Sequence, residues 1–182
     1  MEGGSSLFIQ KFIQSPMQIG SLFPSSVSLA KKMTDNISWE NISEAAELGA
    51  GTGVITKEII RSMQPGTNLH VFEKDEEMRE KLQSQLPEIL VYEDAREILR
   101  SINKCEGELD AVFSGLPFTN FHKSTRLEIV EEVYRSLRPG GILVAFQYTT
   151  QMKKTFQRYF KTVDISFVIK NFPPAFVYIC EK

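Results

Sequence analysis

The sequence predicts an α/β fold, a single doubly wound, mostly parallel seven-stranded sheet with helices on both faces and a terminal antiparallel hairpin. Three observations predict it. Short apolar runs alternate with amphipathic stretches along most of the chain. The amphipathic stretches stop at Pro-Gly or Pro signals, where helices end. The last two apolar runs are joined by a short "NFPP" link and no helix, so they pair as a hairpin and put one antiparallel strand in the sheet.

The elements follow in order. "EAAELG" (44–49) reads as the first strand and "VITKEIIRSM" (54–63) as the first helix behind it, stopped by Pro65-Gly66. "NLHVFE" (68–73) is the second strand and "DEEMREKLQSQL" (75–86) the next helix, ended by Pro87. "ILVYED" (89–94) and "AREILRSI" (95–102) form the third strand–helix pair. "LDAVFSG" (109–115) is the fourth strand, "STRLEIVEEVYRSL" (124–137) a helix closed by Pro139-Gly140-Gly141, and "ILVAFQYT" (142–149) the fifth strand. "QMKKTFQRYF" (151–160) reads as a helix, and "TVDISFVIK" (162–170) and "PAFVYIC" (174–180) as the hairpin strands. With 182 residues, 42% of them hydrophobic, the chain fits one globular unit: N-terminal amphipathic or cap helices over 1–36 on a main domain over 37–182.

Composition narrows the function classes. No run approaches the roughly 18 uninterrupted apolar residues of a membrane span, and the start lacks the pattern of a secretory signal, so a cytoplasmic protein is expected. Cys105 and Cys180 stand apart, without metal-ligand spacing, and read as small buried apolar residues; no metal is expected. A net charge of −2 argues against nucleic acid as partner. The charge is uneven, however. No acid occurs from Gly3 to Thr34, where Lys11, Lys31 and Lys32 lie, and six Lys or Arg face two acids from Gln147 to Lys182.

The stretch "ELGAGTG" places Gly49, Gly51 and Gly53 between the first strand and the first helix, where doubly wound sheets bind nucleotides. Glycine there permits a sharp turn and a close approach to a ligand. A pyrophosphate fingerprint needs its third glycine at position 54, which is Val54, and no Walker lysine follows. Glu73, ending the second strand, is placed to accept from two ribose hydroxyls, and Asp94, ending the third, from an adenine amino group. An adenosine without phosphates is indicated.

"ELGAGTG", Glu73 and the "EDA" at 93–95 resemble the cofactor-binding motifs of class I S-adenosylmethionine-dependent methyltransferases, a Rossmann-like family, over almost the whole chain. The resemblance implies S-adenosyl-L-methionine as cofactor and S-adenosyl-L-homocysteine as product. It also implies that the glycine loop passes under the methionine part, that Glu47 helps to hold its amino group, and that the helix end favours its carboxylate. Lys74, Ala95 and Ser114 are the further cofactor-contact positions it implies.

"SGLPFTNF" (114–121) falls at the end of the fourth strand, beside the expected methyl group. It is similar to the acceptor motif of adenine and glutamine N-methyltransferases, but Gly115 replaces the amide that orients a planar base, while Leu116, Pro117 and Phe118 keep the remainder. Gly115 and Pro117 are therefore expected to border the reacting amine, and an Asn in place of Gly115 to obstruct an alkyl ammonium more than it helps. "FIQSPMQIGSLFPSS", "SGLP" and "NFPPAFVYIC" together resemble the bacterial phospholipid N-methyltransferases, which act on phosphatidylethanolamine. The resemblance implies an aminophospholipid acceptor and peripheral association with the inner face of the cell membrane. Phe8, Ile9, Phe12 and Ile13 fall on one helix face flanked by Lys11, which fits either an anionic membrane surface or packing on the domain itself. A soluble amine or an RNA adenine as acceptor, and a non-catalytic cofactor-binding protein, are the alternatives.

A head-group ammonium with a pKa near 10 must lose its proton before it attacks, at a cost of about 4 kcal/mol near pH 7. His122 and Tyr148 are the candidate acceptors of that proton. The other readings are an exposed loop position for His122 and packing for Tyr148. His70, inside a strand, reads as structural.

Overall fold

The computed structural model describes residues 26–35 and 37–182. The amphipathic stretch at 7–13 lies outside these residues. The first described helix, α1 (Val27–Thr34), is capped by Ser26, whose Oγ accepts from the Leu29 N–H, and it buries Leu29, Ala30, Met33 and Thr34. A turn at Trp39–Asn41 follows. Trp39 donates its Nε1–H to the Thr34 carbonyl at 3.1 Å and stacks on Phe113 with ring centroids 5.6 Å apart, fixing α1 to the sheet.

The sheet forms as the alternation predicts. Strands β1 (Glu44–Leu48), β2 (Asn68–Phe72), β3 (Leu90–Tyr92), β4 (Leu109–Ser114) and β5 (Leu137–Gln147) are parallel neighbours in the order β3-β2-β1-β4-β5. β6 (Thr162–Val168) and β7 (Ala175–Glu181) complete it, with β7 between β5 and β6 and antiparallel to both. Every residue of β4, and all of β1 after Glu44, is buried, because helices cover both faces and leave no alternation. The chain winds outward from β1 to β3 and then crosses to β4. The reversal point therefore lies between the ends of β1 and β4.

Helices α2 (Val54–Ser62), α3 (Glu76–Gln85), α4 (Ile98–Ser101), α5 (Lys123–Ser136) and α6 (Lys153–Phe156) complete the frame. One core holds Leu29, Met33, Ile55, Ile59, Leu82 and Phe113; the other holds Ile98, Phe118, Val130, Val133, Phe156 and Tyr178. No helix of the described residues is long and apolar enough to cross a membrane.

Three elements are shorter than the sequence suggests. β3 is a three-residue edge strand. The helix expected over 95–102 is a single turn, because Asp94 Oδ1 accepts the Arg96 N–H and bends the chain before Ile98. The helix expected over 151–160 is regular only at Lys153–Phe156. β5, by contrast, begins at Leu137, before the Pro-Gly-Gly signal, with a register shift between its pairing to Leu109 and to Ala111. Cys180 is buried as expected, whereas Cys105 is exposed in the loop before β4, where its neighbours are charged.

A carboxylate clamps the amino edge of the central strands. Asp110 Oδ2 accepts from the Ser43 N–H (2.8 Å), the Ser43 hydroxyl (3.0 Å) and the Glu44 N–H (2.9 Å), and Oδ1 accepts from Arg138 Nε at 2.5 Å. Burial raises its pKa, but the Arg138 and backbone donors outweigh burial and hold it below the ordinary 3.8. Its contribution is thus complete at neutral pH and lost only as pH falls through that depressed value. Asp110→Ala is expected to cost on the order of 3 kcal/mol in urea unfolding at pH 7, a difference that shrinks in acid.

Candidate functional site

The carboxyl ends of β1, β2, β4 and β5 gather most of the residues singled out in the sequence. Gly49, Gly51 and Gly53 all have positive φ, at 77°, 53° and 77°. Their N–H groups stitch the loop into place: Gly49 donates to the Phe72 carbonyl at 2.7 Å, and Gly53 to the Ala50 carbonyl at 2.9 Å. The two outer glycines are also crowded. A Cβ on Gly53 would lie 2.6 Å from Leu82 Cδ1, and one on Gly49 would lie 2.8 Å from Leu116 Cδ2. At Gly51 a Cβ would meet no atom within 4 Å, so the loop's middle faces open space.

Glu73 is tied to that loop. Its Oε2 accepts the Gly51 N–H at 2.7 Å and its Oε1 accepts the Asp75 N–H at 3.0 Å. Arg79 bridges the carbonyls of Glu73 and Lys74, at 3.0 and 2.7 Å, and locks the turn that carries both. Each Glu73 oxygen keeps acceptor capacity for a ligand hydroxyl. Asp94, expected to meet an amino group, instead holds Arg96 in a bidentate pair, with Nε at 3.0 and 3.1 Å and Nη2 at 2.5 Å. That pairing, against the opposing effect of partial burial, lowers its pKa, and the Lys74 charge adds to the effect. Ala95 packs at the edge of the second core.

Glu47 has the most unusual surroundings. It is buried, and neither carboxylate oxygen has a hydrogen-bond partner among the described residues. Burial pushes its carboxyl up to about 7; Thr56 opposes the rise, and the negative charge of Glu73 adds to it. The Thr56 hydroxyl is itself buried and unpaired, so its influence on Glu47 acts from nearby and not through a formed hydrogen bond.

On the β4 side, Ser114 is buried and its Oγ accepts the Leu116 N–H at 3.3 Å. Gly115 donates to the Leu48 carbonyl at 2.8 Å, and a Cβ on it would lie 2.7 Å from the Gly49 carbonyl oxygen. Its bareness thus has a cause within the fold itself. A side chain at Gly115 would strike the glycine loop before it reached an acceptor. The Leu116 carbonyl is occupied by Gln147 Nε2 at 2.8 Å, and Pro117 leads into the turn Phe118–Asn120, whose Phe118 is fully buried.

Tyr148 continues from β5 and packs edge-on to Phe146, centroids 5.7 Å apart, while Phe146 Cε1 would lie 3.6 Å from a Gly115 Cβ. Burial raises the Tyr148 pKa, opposed by a hydrogen bond with the Asn171 side chain. His122 is exposed as the N-cap of α5, its Nδ1 2.8 Å from Ser124 Oγ. His70 sits between Glu44 and Tyr92, in keeping with a structural part. Gln147 and Asn171 escaped the sequence reading. A single polar residue closing the run "ILVAF" was the available sign of the first.

These features fit an adenosyl amino acid: an orphaned buried carboxylate for an ammonium, a bare loop facing open space, and a second carboxylate with spare acceptor capacity. A family model for the methyltransferase domain matches residues 45–141, more than half the chain. The chain belongs to the class I S-adenosylmethionine-dependent methyltransferases. The ornithine lipid N-methyltransferase of Singulisphaera acidiphila is 34% identical over 184 residues, covering 96% of this methyltransferase and 94% of the relative. The fold is shared with a solved 1,6-didemethyltoxoflavin-N1-methyltransferase of Burkholderia thailandensis, with TM-score 0.70, 13% identity, and 98% and 86% of the two chains covered. It is shared as well with a precorrin-6y C5,15-methyltransferase of Geobacter metallireducens, with TM-score 0.67, 14% identity, and 85% and 88% covered.

The Glu47 environment makes a pH-dependent prediction. Its folded pKa of about 7 exceeds the ordinary 4.5, so the unfolded chain releases this proton first and stability falls as pH rises between those values. Glu47→Gln should therefore raise the melting temperature of the ligand-free methyltransferase at pH 8, by the equivalent of about 3 kcal/mol at most, with little change at pH 4.5. Melting curves across that range are the check.

Proposed function

We propose that this methyltransferase transfers a methyl group to the amine of an aminolipid head group, phosphatidylethanolamine or a related aminolipid, at the inner face of the cell membrane. The observation that carries the reading is the 34% identity, along nearly the full length of both chains, to a protein named as an ornithine lipid N-methyltransferase. The acceptor side of the site supports it. Gly115 offers no side-chain amide, and the Leu116 carbonyl already accepts from Gln147, so a planar base loses the side-chain acceptor and shares the backbone one. What remains is apolar and aromatic: Leu116, Pro117, Phe146 and Tyr148.

Bound S-adenosylmethionine supplies an electrophilic methyl on a sulfonium. In this proposal Glu47 receives its ammonium, Gly49, Gly51 and Gly53 provide close backbone contact, and Glu73 accepts from the ribose hydroxyls. Lys74, Asp94, Ala95 and Ser114 surround the remainder, with Asp94 exchanging part of its Arg96 pairing for the adenine amino group. Alignment of the amine is the chief demand on the chain. Pro117 and the rings of Phe146 and Tyr148 exclude water, which lowers the pKa of a head-group ammonium and favours the neutral nucleophile. Tyr148, kept protonated by its raised pKa, accepts an amine N–H on its phenol oxygen and orients the lone pair. His122, at the mouth of α5, takes the released proton through water.

Purified protein incubated with labelled S-adenosylmethionine should label vesicles of phosphatidylethanolamine or ornithine lipid, and not RNA or phosphoethanolamine. Label in RNA or in the soluble amine alone would overturn the lipid reading. Glu73→Ala removes charge-assisted hydrogen bonds of about 1.5–3 kcal/mol each, so calorimetry should show at least about tenfold weaker binding of S-adenosylhomocysteine.

A further inference from the structure

The hairpin that closes the sheet carries a cluster of exposed apolar side chains at its turn end. Phe167 is 56% exposed, Ile169 73% and Phe172 55%, within six residues of chain. Beside them Val168 and Ala175 are buried in the first core. Phe167 is backed by Phe176, ring centroids 5.0 Å apart, so the exposed ring is held outward on a firm base. Solvent-exposed aromatic and branched residues this concentrated mark an interaction surface.

Its place in the fold says what it meets. Phe176 pairs with Gln147 across β5 and β7, which puts the loop at the carboxyl edge of the sheet, beside Tyr148. Asn171, at the loop's centre, is buried and joins three parts: its Oδ1 accepts the Ser26 N–H at 3.0 Å, its Nδ2 donates to the Pro173 carbonyl at 2.7 Å, and its side chain hydrogen-bonds Tyr148. Ser26 is therefore held at Asn171, and Val27, 57% exposed, is the next residue; neither they nor the rest of α1 carries an acid. The loop itself has no acid from Ile165 to Cys180 and carries the exposed Lys170 between Ile169 and Phe172. Exposed Lys153 and Lys154 open α6, just after the strand that ends at Tyr148's neighbour Gln147. Apolar side chains interleaved with lysine and free of acid complement an anionic bilayer surface: rings enter the head-group boundary while the ammonium meets phosphate.

We propose that the β6–β7 loop, through Phe167, Ile169, Lys170 and Phe172 with Val27 beside it, inserts into an anionic lipid surface and docks the mouth of the site on the bilayer. This rests on the aminolipid reading, since it supplies the route by which a head group reaches Tyr148 without leaving the membrane. It is a surface distinct in sequence from the stretch 7–13.

The test uses the full chain and vesicles of phosphatidylethanolamine and phosphatidylglycerol at low salt. Wild type should sediment with the vesicles, and the triple variant Phe167→Ser, Ile169→Ser, Phe172→Ser should lose at least about tenfold of the bound fraction. The same variant should fall similarly on vesicle-embedded aminolipid and stay within about twofold of wild type on a short-chain aminolipid below its micelle concentration. Phe172→Trp, compared with the native Trp39 background, should shift its emission to the blue on vesicles and be quenched by brominated acyl chains. Wild-type sedimentation by the triple variant, an unshifted Phe172→Trp, or equal loss on the short-chain acceptor overturns the surface and leaves the aminolipid reading standing. A change only in oligomeric state overturns it too, in favour of contact between copies. Vesicle binding lost in the triple variant of an enzyme that methylates no lipid upholds the surface and overturns the acceptor.

Discussion

The site depends on the hydrogen bond between the Gly51 N–H and the Glu73 carboxylate. Three successive left-handed glycines make a loop with little of its own to hold it, and the middle one faces open space. One anionic oxygen from the neighbouring strand pins that middle residue, while Gly49 and Gly53 are trapped between Leu116 and Leu82. Order in the loop thus comes from what presses on it. The same closeness explains Gly115, whose missing side chain leaves room for the Gly49 carbonyl. Substitution there reaches the cofactor loop first and the acceptor second.

Burial sets the second constraint. A carboxylate with no partner is an expensive thing to enclose, and Glu47 is enclosed completely. Such a group is half-way to neutral near pH 7, with its charge ready to be claimed by a cation entering the pocket. Folding free energy is in this sense held back at one residue, and in the proposed complex the cofactor's ammonium returns it. The arrangement also separates two jobs among the acids. Glu47 is enclosed without a donor, whereas Glu73 accepts from two backbone N–H groups and keeps capacity for more.

Much of this was legible in the sequence, for definite reasons. Strand and helix alternation, the turn glycines and the acids at strand ends are local signals, and each of β1 to β7 contains an apolar run, β5 extending it backward through Pro139-Gly140-Gly141. The terminal hairpin was readable because four residues cannot hold a crossover helix. What escaped depends on contacts between distant segments. Asp94's capture of Arg96 shortens the helix expected at 95–102, and no periodicity reports a side chain that bends its own backbone. Asp110, Gln147 and Asn171 lay hidden because their partners are 28, 31 and 145 positions away in the chain. The approach of Gly49 to Gly115 is likewise visible only in three dimensions.

Asp110 and the glycine loop lie at opposite ends of the same two central strands. The clamp that secures β1 against β4 is built from Ser43, Glu44 and Arg138, none of which approaches the pocket. Durability and chemistry are consequently under separate control along one short axis of the molecule. Loops at the carboxyl edge can drift toward a new acceptor while the amino edge keeps the sheet closed, and thermal robustness can be engineered at Arg138 without retuning what the enzyme recognises. A lineage built on this plan is free to change its customer without rebuilding its house.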